Sequence, residues 1–315
     1  MKTLAMFLLA AGTVVAQVHI VRHPDRLSVE IDGKPFTEIF QGTQTRKPYL
    51  HPLRSASGKI VTRRFPMETG AGETTDHPHH QGLSFTHAEV NGYNFWASDA
   101  SQVDAKSGSI RLKKIRGTRG GKTTGRADVE YEWLDPAGKP ILLERRVLVF
   151  HGGADRVVDF DTEFRALERI TFGDTKEGTF AIRLAAELQE DHSGEMVGAT
   201  GCRREKDCWG TRGNWMDYSG KVDGEDLGVA IFDHPGNPGH PTYWHSRGYG
   251  LFSANPFGAA DFRKGRKEPD TGGTGSLVVE RGKKVRFRYR VLIHPGRTDA
   301  EALEKAYKAY IGVSK

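Results

Sequence analysis

The sequence has 315 residues, a formal net charge of +6, a pI near 9.2 and two cysteines. Its basic residues are spread along the chain, which argues against a nucleic-acid surface. No window beyond the N-terminal segment approaches 18 apolar residues, which argues against a membrane-spanning helix.

In chain order, the first feature is an export signal. Lys2 is followed by an apolar run over residues 4–15 and by the small-residue cleavage site Val14-Val15-Ala16. The expectation is a signal peptide at 1–16 and a periplasmic or secreted mature chain at 17–315. No cysteine follows the apolar run, so a lipoprotein anchor is not indicated. Leu27, Val29 and Ile31 then alternate with polar residues up to Asp32-Gly33, a tight-hairpin signal. Residues 141–150 and 156–164 read as paired strands around His151-Gly152-Gly153, and 179–185 and 227–233 as further strands. In 284–294, Val285, Phe287, Tyr289, Val291 and Ile293 share one face. The basic residues of this stretch then fall on the outer face. One helix is predicted at the C-terminus: Thr298 and Glu301 form a capping box, and Ala300, Leu303, Tyr307 and Tyr310 lie on one side. Many strands and one late helix make the chain all-β, a large antiparallel two-sheet sandwich with a C-terminal helix, in one domain over 17–315.

The chemistry is densest at Asp76-His77-Pro78-His79-His80-Gln81-Gly82, where three of the thirteen histidines fall within four positions. Pro78 favours an extended His77. An extended segment puts His77 and His79 on one side and His80 on the other. Such a pair could bind a metal, or one imidazole could act as an acid while the other holds substrate. The plainer alternative is a hydrogen-bonded turn that anchors the next hairpin. That hairpin turns at Asn91-Gly92, placing His87 opposite Trp96 and Glu89 opposite Asn94.

Upstream, Arg63 and Arg64 could clamp a carboxylate or a hydroxyl cluster, or pair with neighbouring acids. Lys47-Pro48-Tyr49-Leu50-His51 precedes them. Downstream, Glu177 leads into a strand carrying Arg183. Trp209 and Trp215, with Asn214 and Asp217, fit a sugar-stacking platform or loop packing. A second cluster contains His234, Tyr243, Trp244 and His245, followed by Asn255. Cys202 and Cys208 are expected to form a disulfide in an exported chain. It would close a short loop worth on the order of 2 kcal/mol. No phosphate loop, dinucleotide fingerprint, Gly-x-Ser-x-Gly elbow or His-Glu-x-x-His helix occurs, so no nucleotide cofactor is expected.

Several segments together resemble the exported bacterial proteins labelled "PmoA family". They are Thr62-Arg63-Arg64-Phe65-Pro66-Met67, the 76–83 segment, Asn91-Gly92 with Phe95-Trp96, Gly213-Asn214-Trp215-Met216-Asp217-Tyr218, Asp233-His234-Pro235-Gly236-Asn237 and Asn255-Pro256-Phe257-Gly258. The resemblance covers nearly the whole mature chain and implies carbohydrate metabolism by association. By analogy it implies the super-sandwich of galactose-mutarotase-like proteins. The label also names a methane-oxygenase subunit, but that subunit is embedded in the membrane and this chain offers no span.

Three functions follow. The first is a carbohydrate-active enzyme performing hydrolysis, elimination or epimerisation. Here His77, His79, His80, Glu177 and His234 are candidate acid–base groups. Arg63, Arg64, Arg183, Trp209, Asn214, Trp215, Asp217, Tyr243, Trp244, His245 and Asn255 would bind a carbohydrate or other polyhydroxylated small molecule. The second is a metal-dependent, copper-type oxidase with His77 and His79 as ligands to a divalent metal. The third is a non-catalytic glycan-binding protein.

Overall fold

The computed structural model describes residues 17–97, 99–269 and 275–313. The segment read as an export signal, 1–16, lies outside them. Among the described residues the chain forms two large antiparallel sheets. The first has nine strands in the spatial order Val18–Arg22, Arg26–Ile31, Lys34–Phe40, Tyr49–His51, Leu83–His87, Gly178–Arg183, Leu251–Asn255, Thr242–Ser246 and Arg212–Gly213. The second has eight, in the order Glu195–Gly198, Trp215–Val222, Glu225–Asp233, Lys284–Pro295, Arg156–Ala166, Pro140–His151, Thr124–Leu134 and Ser109–Arg119. Ile170–Phe172 and Leu277–Val279 add a two-stranded sheet. Three helices accompany them: α1 (Arg204–Cys208), α2 (Ala259–Arg266) and α3 (Ala300–Val313).

Alternation of side chains builds both sheets. In Lys284–Pro295, Phe287, Tyr289, Val291 and Ile293 are buried. On the opposite face Lys284 pairs with Glu163, Arg286 with Asp161 and Arg290 with Asp159 of the adjacent strand. Three basic residues of this strand thus face a ladder of acids. Both predicted tight turns form. Asp32 and Gly33 have φ of 56° and 71°, and Asn91 and Gly92 have 52° and 78°, the left-handed pairs that a two-residue hairpin requires. Between the sheets lies an aromatic core. Phe180 stacks on Tyr289 at 4.4 Å and Phe85 lies 5.3 Å from Phe164. The same core holds a buried ion pair, Arg146 to Glu144 at 2.7 Å, and Glu144 also accepts from Trp133 Nε1 and Thr162 Oγ1. Glu144 therefore has the several donors that a desolvated carboxylate needs.

Four expectations change. The strand expected over 179–185 ends at Arg183, and Ala186–Leu188 turns as a 3₁₀ helix. The second side of the Asn91-Gly92 hairpin is out of the simple register. Phe95 N donates to His87 O, so Trp96 does not oppose His87, and Glu89 O accepts from Gly173 N rather than facing Asn94. Two helices, α1 and α2, occur where none was predicted; both are short, with five and eight residues, and carry no periodic apolar stripe. Finally, α3 is capped by Asp299, whose carboxylate accepts from Glu301 N and Ala302 N. Thr298 is instead committed to the sheet, donating to Asp217 Oδ2. Leu303, Tyr307 and Tyr310 of α3 pack on Trp215, Ala230, Phe232 and Leu292, while Ala300 is exposed. Among the described residues no helix is long and apolar enough to cross a membrane.

The cap assignment is testable. Asp299→Ala should destabilise the protein by about 1 kcal/mol in urea titrations.

Candidate functional site

The site is built on the outer face of the nine-stranded sheet. In its central strands, Phe85, Phe180, Ile182, Phe252, Ala254 and Trp244 point into the core. The alternate positions form cross-strand rows on the other face: Ser84, Ala181, Ser253 and His245, then Thr86, Thr179, Asn255 and Tyr243. These strands are buried on both sides because loops cover the polar face. The histidine-rich segment is one of those loops.

Its hub is Asp76. Oδ1 accepts from Thr74 Oγ1 at 2.6 Å, Arg63 Nη1 at 2.8 Å and Arg183 Nη2 at 3.0 Å. Arg63 also donates to the carbonyls of Asp76 and His77 at 2.8 and 2.9 Å. Both arginine side chains are 0% exposed. Burial raises the Asp76 carboxyl, but the Thr74 hydroxyl, Arg183 and His77 outweigh it and hold the group well below the usual carboxylate range. Asp76 is therefore ionised, and His77 Nδ1 donates to its Oδ2 at 2.5 Å.

The segment is not extended. His77 has φ of 44°, and His80 N donates to His77 O, closing a turn. The Arg63 bonds to two successive carbonyls hold this turn against the preference that Pro78 imposes. All three imidazoles therefore gather, rather than two on one side and one on the other. His77 stacks on His80 at 4.9 Å, and His79 lies 4.3 Å from His80. Tyr249 stacks on the opposite face of this group, 5.5 Å from His77. Trp96 closes the inner side, 5.7 and 5.3 Å from His79 and His80.

Each ring has a defined proton. His77 Nδ1 and His79 Nδ1 are donors, to Asp76 and to Gln102 Oε1 at 2.7 Å, so their Nε2 atoms carry lone pairs when the rings are neutral. His80 Nδ1 accepts from Arg183 Nη1 at 3.1 Å, so its Nε2 carries the hydrogen. Burial, followed by the charge of Lys47, pulls His79 down to about 4 despite the Gln102 bond. Burial and then the charges of His79, Arg183, Lys47 and His77 push His80 far lower. Lys47 is fully enclosed. It donates to His79 O at 2.7 Å and Trp96 O at 2.8 Å, lies over the Trp96 ring, and is pulled down to about 7 by burial.

Glu177 stands at the rim. Burial raises it, but its bond with Lys176 and the fields of His245 and His79 leave it lowered and ionised. His245 Nδ1 donates to Lys176 O at 2.8 Å, and its ring packs near Trp209 and Phe262 of α2. Tyr243 stacks on the same Phe262. Asn255 accepts from Thr179 Oγ1 and donates to Thr175 O, fixing the loop that carries Glu177.

The structure thus brings together Arg63, His77, His79, His80 and Arg183, with Glu177, His245, Trp209, Tyr243 and Asn255 on the adjoining part of the same face. Other candidates lie elsewhere. Arg64 bonds Glu73 through its backbone and lies outside the cluster. Trp244 points between the sheets, with Nε1 on Gly213 O. Trp215 is under α3, bonded to Glu304, and Asp217 binds His294 and Thr298 there. Asn214 O accepts from Asp233 N, and His234 packs on Tyr310. Asn214, Trp215, Asp217 and His234 lie on or next to strands of the eight-stranded sheet, whereas Trp244 is in the nine-stranded one. Sequence reasoning missed Tyr249, Gln102 and Thr74, which sit in loops without periodicity. The Asp next to a histidine triplet was the one local signal for the hub. Cys202 and Cys208 form the expected disulfide.

A model for DUF6807, described as a family of unknown function, matches residues 26–308. No curated protein matches the chain. Among solved structures, the α-galactosidase of Lactobacillus brevis is 8% identical with a TM-score of 0.39, over 92% of this chain and 40% of that one. This chain therefore spans about two fifths of that protein's length, 40%. The galactose 1-epimerase of Lactobacillus acidophilus is 7% identical with a TM-score of 0.41, over 90% of this chain and 100% of that one. A galactose mutarotase-like protein of Clostridium acetobutylicum is 9% identical with a TM-score of 0.39, over 88% and 94%.

The buried imidazoles set the acid limb of stability. His51, His79, His87, His234 and His245 are each lowered to about 4, in every case by burial first. The unfolded chain takes up protons near the ordinary histidine value while the native state does not, so stability is lost as pH falls from about 6.5 towards 4. His294, raised by Asp217 against its own burial, opposes this in part. Urea titrations should show a loss of at least about 3 kcal/mol between pH 7 and pH 5.

Proposed function

Since this chain belongs to DUF6807, a family of unknown function, we propose its activity from the site itself: acid–base catalysis on a sugar or glycoside. One observation carries the proposal. His77 is held by an ionised carboxylate through Nδ1, and its side chain is 45% exposed among otherwise buried imidazoles. A carboxylate fixes the tautomer and steadies the imidazolium that forms when Nε2 takes a proton. His77 is the base. His80, next to it, offers a fixed Nε2–H that can donate to a substrate hydroxyl or to developing negative charge. Glu177, ionised at the rim, provides a second proton acceptor.

This arrangement serves hydrolysis, elimination and epimerisation alike, since each needs a proton removed and another delivered. Export belongs to the same proposal and is supported by the Cys202–Cys208 disulfide, which suits an oxidising compartment. Kinship with the PmoA-labelled proteins rests on the shared motifs alone. The metal-dependent reading ranks second. His77 and His79 each give Nδ1 to a protein oxygen, which leaves Nε2 for a ligand. Among the described residues no group of three or more His, Cys, Asp or Glu is arranged to hold a metal ion.

His77→Ala and Asp76→Asn should each lower kcat by about 10²–10⁴-fold on any glycan that the wild type converts, read by mass spectrometry over a glycoside panel. Full activity in His77→Ala would reject the assignment. Chelation with EDTA should leave wild-type turnover unchanged; loss that zinc, copper or manganese restores would favour the metal-dependent reading instead.

A further inference from the structure

A cleft of about 590 Å³ adjoins the histidine turn and is lined by Gln44, Arg46, Tyr49, Met67, Gln81 and Val103, with Pro66 and Asp99 completing it. Its volume falls in the range of small-molecule sites. The catalytic proposal leaves it unused, yet it is joined to the site at four points. Gln81 directly follows His80. Asp99 caps the 3₁₀ turn Ala100–Gln102, whose Gln102 holds His79 Nδ1. Tyr49 is two residues beyond Lys47, which binds the carbonyls of His79 and Trp96. Pro66 and Met67 follow Arg63, which clamps Asp76 and His77. The segments that fasten the histidines therefore also form the walls of the cleft.

We infer that this cleft is a binding subsite for a further sugar residue, so that the substrate is a neutral oligosaccharide and not a free monosaccharide. The inference rests on the carbohydrate reading above and specifies its substrate. The lining is amphipathic in the manner that pyranose rings require. Gln44 offers an amide for hydroxyl groups, while Pro66, Met67 and Val103 offer apolar surface for C–H faces. Arg46 and Asp99 contribute one charge of each sign, which favours neither an anionic nor a cationic ligand. Val103 is one of the few large apolar side chains left exposed, at 39%. The strand carrying Tyr49 and the strand carrying Arg183 are separated by one strand, Leu83–His87, in the sheet order. That places the strand beside the cleft about 10 Å from the strand whose Arg183 holds His80, farther than a single ring reaches, so a ligand extending from the cleft to the histidines has at least two residues.

The test measures binding separately from turnover. Xylo-, cello- and galacto-oligosaccharides of two to six residues are titrated by calorimetry into the wild type, into Val103→Trp, which fills the cleft from an exposed position, and into Gln44→Trp, which fills it from another lining residue. Thermal melts verify folding, and either folded variant suffices. At least one series should bind the wild type with affinity rising tenfold or more with length, and that rise should collapse in the filled variants. Affinity independent of length, a rise that survives filling, or no binding by any series would overturn the subsite. Tighter binding of an oligogalacturonide series would overturn the neutral assignment. The catalytic reading fails separately, if oligosaccharides bind as described but His77→Ala still forms product at the wild-type rate.

Discussion

Two guanidinium groups with no solvent exposure meet one carboxylate at Asp76, and the site depends on that meeting. A desolvated cation is costly unless it is paired and its donors are used. Arg63 and Arg183 converge on Asp76 Oδ1 and on the neighbouring carbonyls and imidazole through their Nη groups, while the buried Nε of each has no hydrogen-bond partner among the described residues. The same bonds decide the shape of the 76–80 turn. They also decide the proton positions, since Asp76 sets the His77 tautomer and Arg183 sets that of His80. A structural ion cluster thereby becomes a device that presents one imidazole lone pair and one imidazole donor side by side.

The electrostatics follow from an excess of buried cations around few acids. Burial first, then the charge of Lys47 and, for His80, that of Arg183, keeps His79 and His80 neutral. Neutral imidazoles can pack as aromatic surfaces, as His79 and His80 do against each other and against Trp96. His77 is the most exposed of the three rings and bonds the Asp76 carboxylate. Lys47 has a mechanical part as well. By joining the His79 and Trp96 carbonyls it ties the histidine turn to the hairpin that follows it.

Period-two alternation made the strands legible. In Lys284–Pro295 it predicted the buried face, and the Asp-Gly and Asn-Gly turns were fixed by their need for left-handed backbone. The histidine triplet beside Asp76 marked the centre of the candidate site, and the two cysteines marked the disulfide. The misreadings have particular causes. Thr298 resembled a cap, but its hydroxyl found Asp217 in the sheet, and Asp299 took the cap. Pro78 argued for an extended His77, but the local preference yielded to the tertiary bonds from Arg63.

Alternation, turn residues and the late helical repeat are enough to specify an all-β chain with a C-terminal helix and one stretch rich in proton-transferring groups. Which distant loops meet that stretch depends on strand pairing. Alternation assigns side chains to two faces, but it does not say which strands pair or which face a loop covers. Leu83–His87 lies beside Gly178–Arg183, and that strand beside Leu251–Asn255, through pairings between positions far apart in the chain. Those pairings bring Arg183, Glu177 and Tyr249 to the histidines. Trp215, Asp217 and His234 went to the other sheet because Trp215–Val222 and Glu225–Asp233 pair with each other and then with Lys284–Pro295. Trp244, one residue from Tyr243 and His245, turned inward because consecutive residues of a strand face opposite ways.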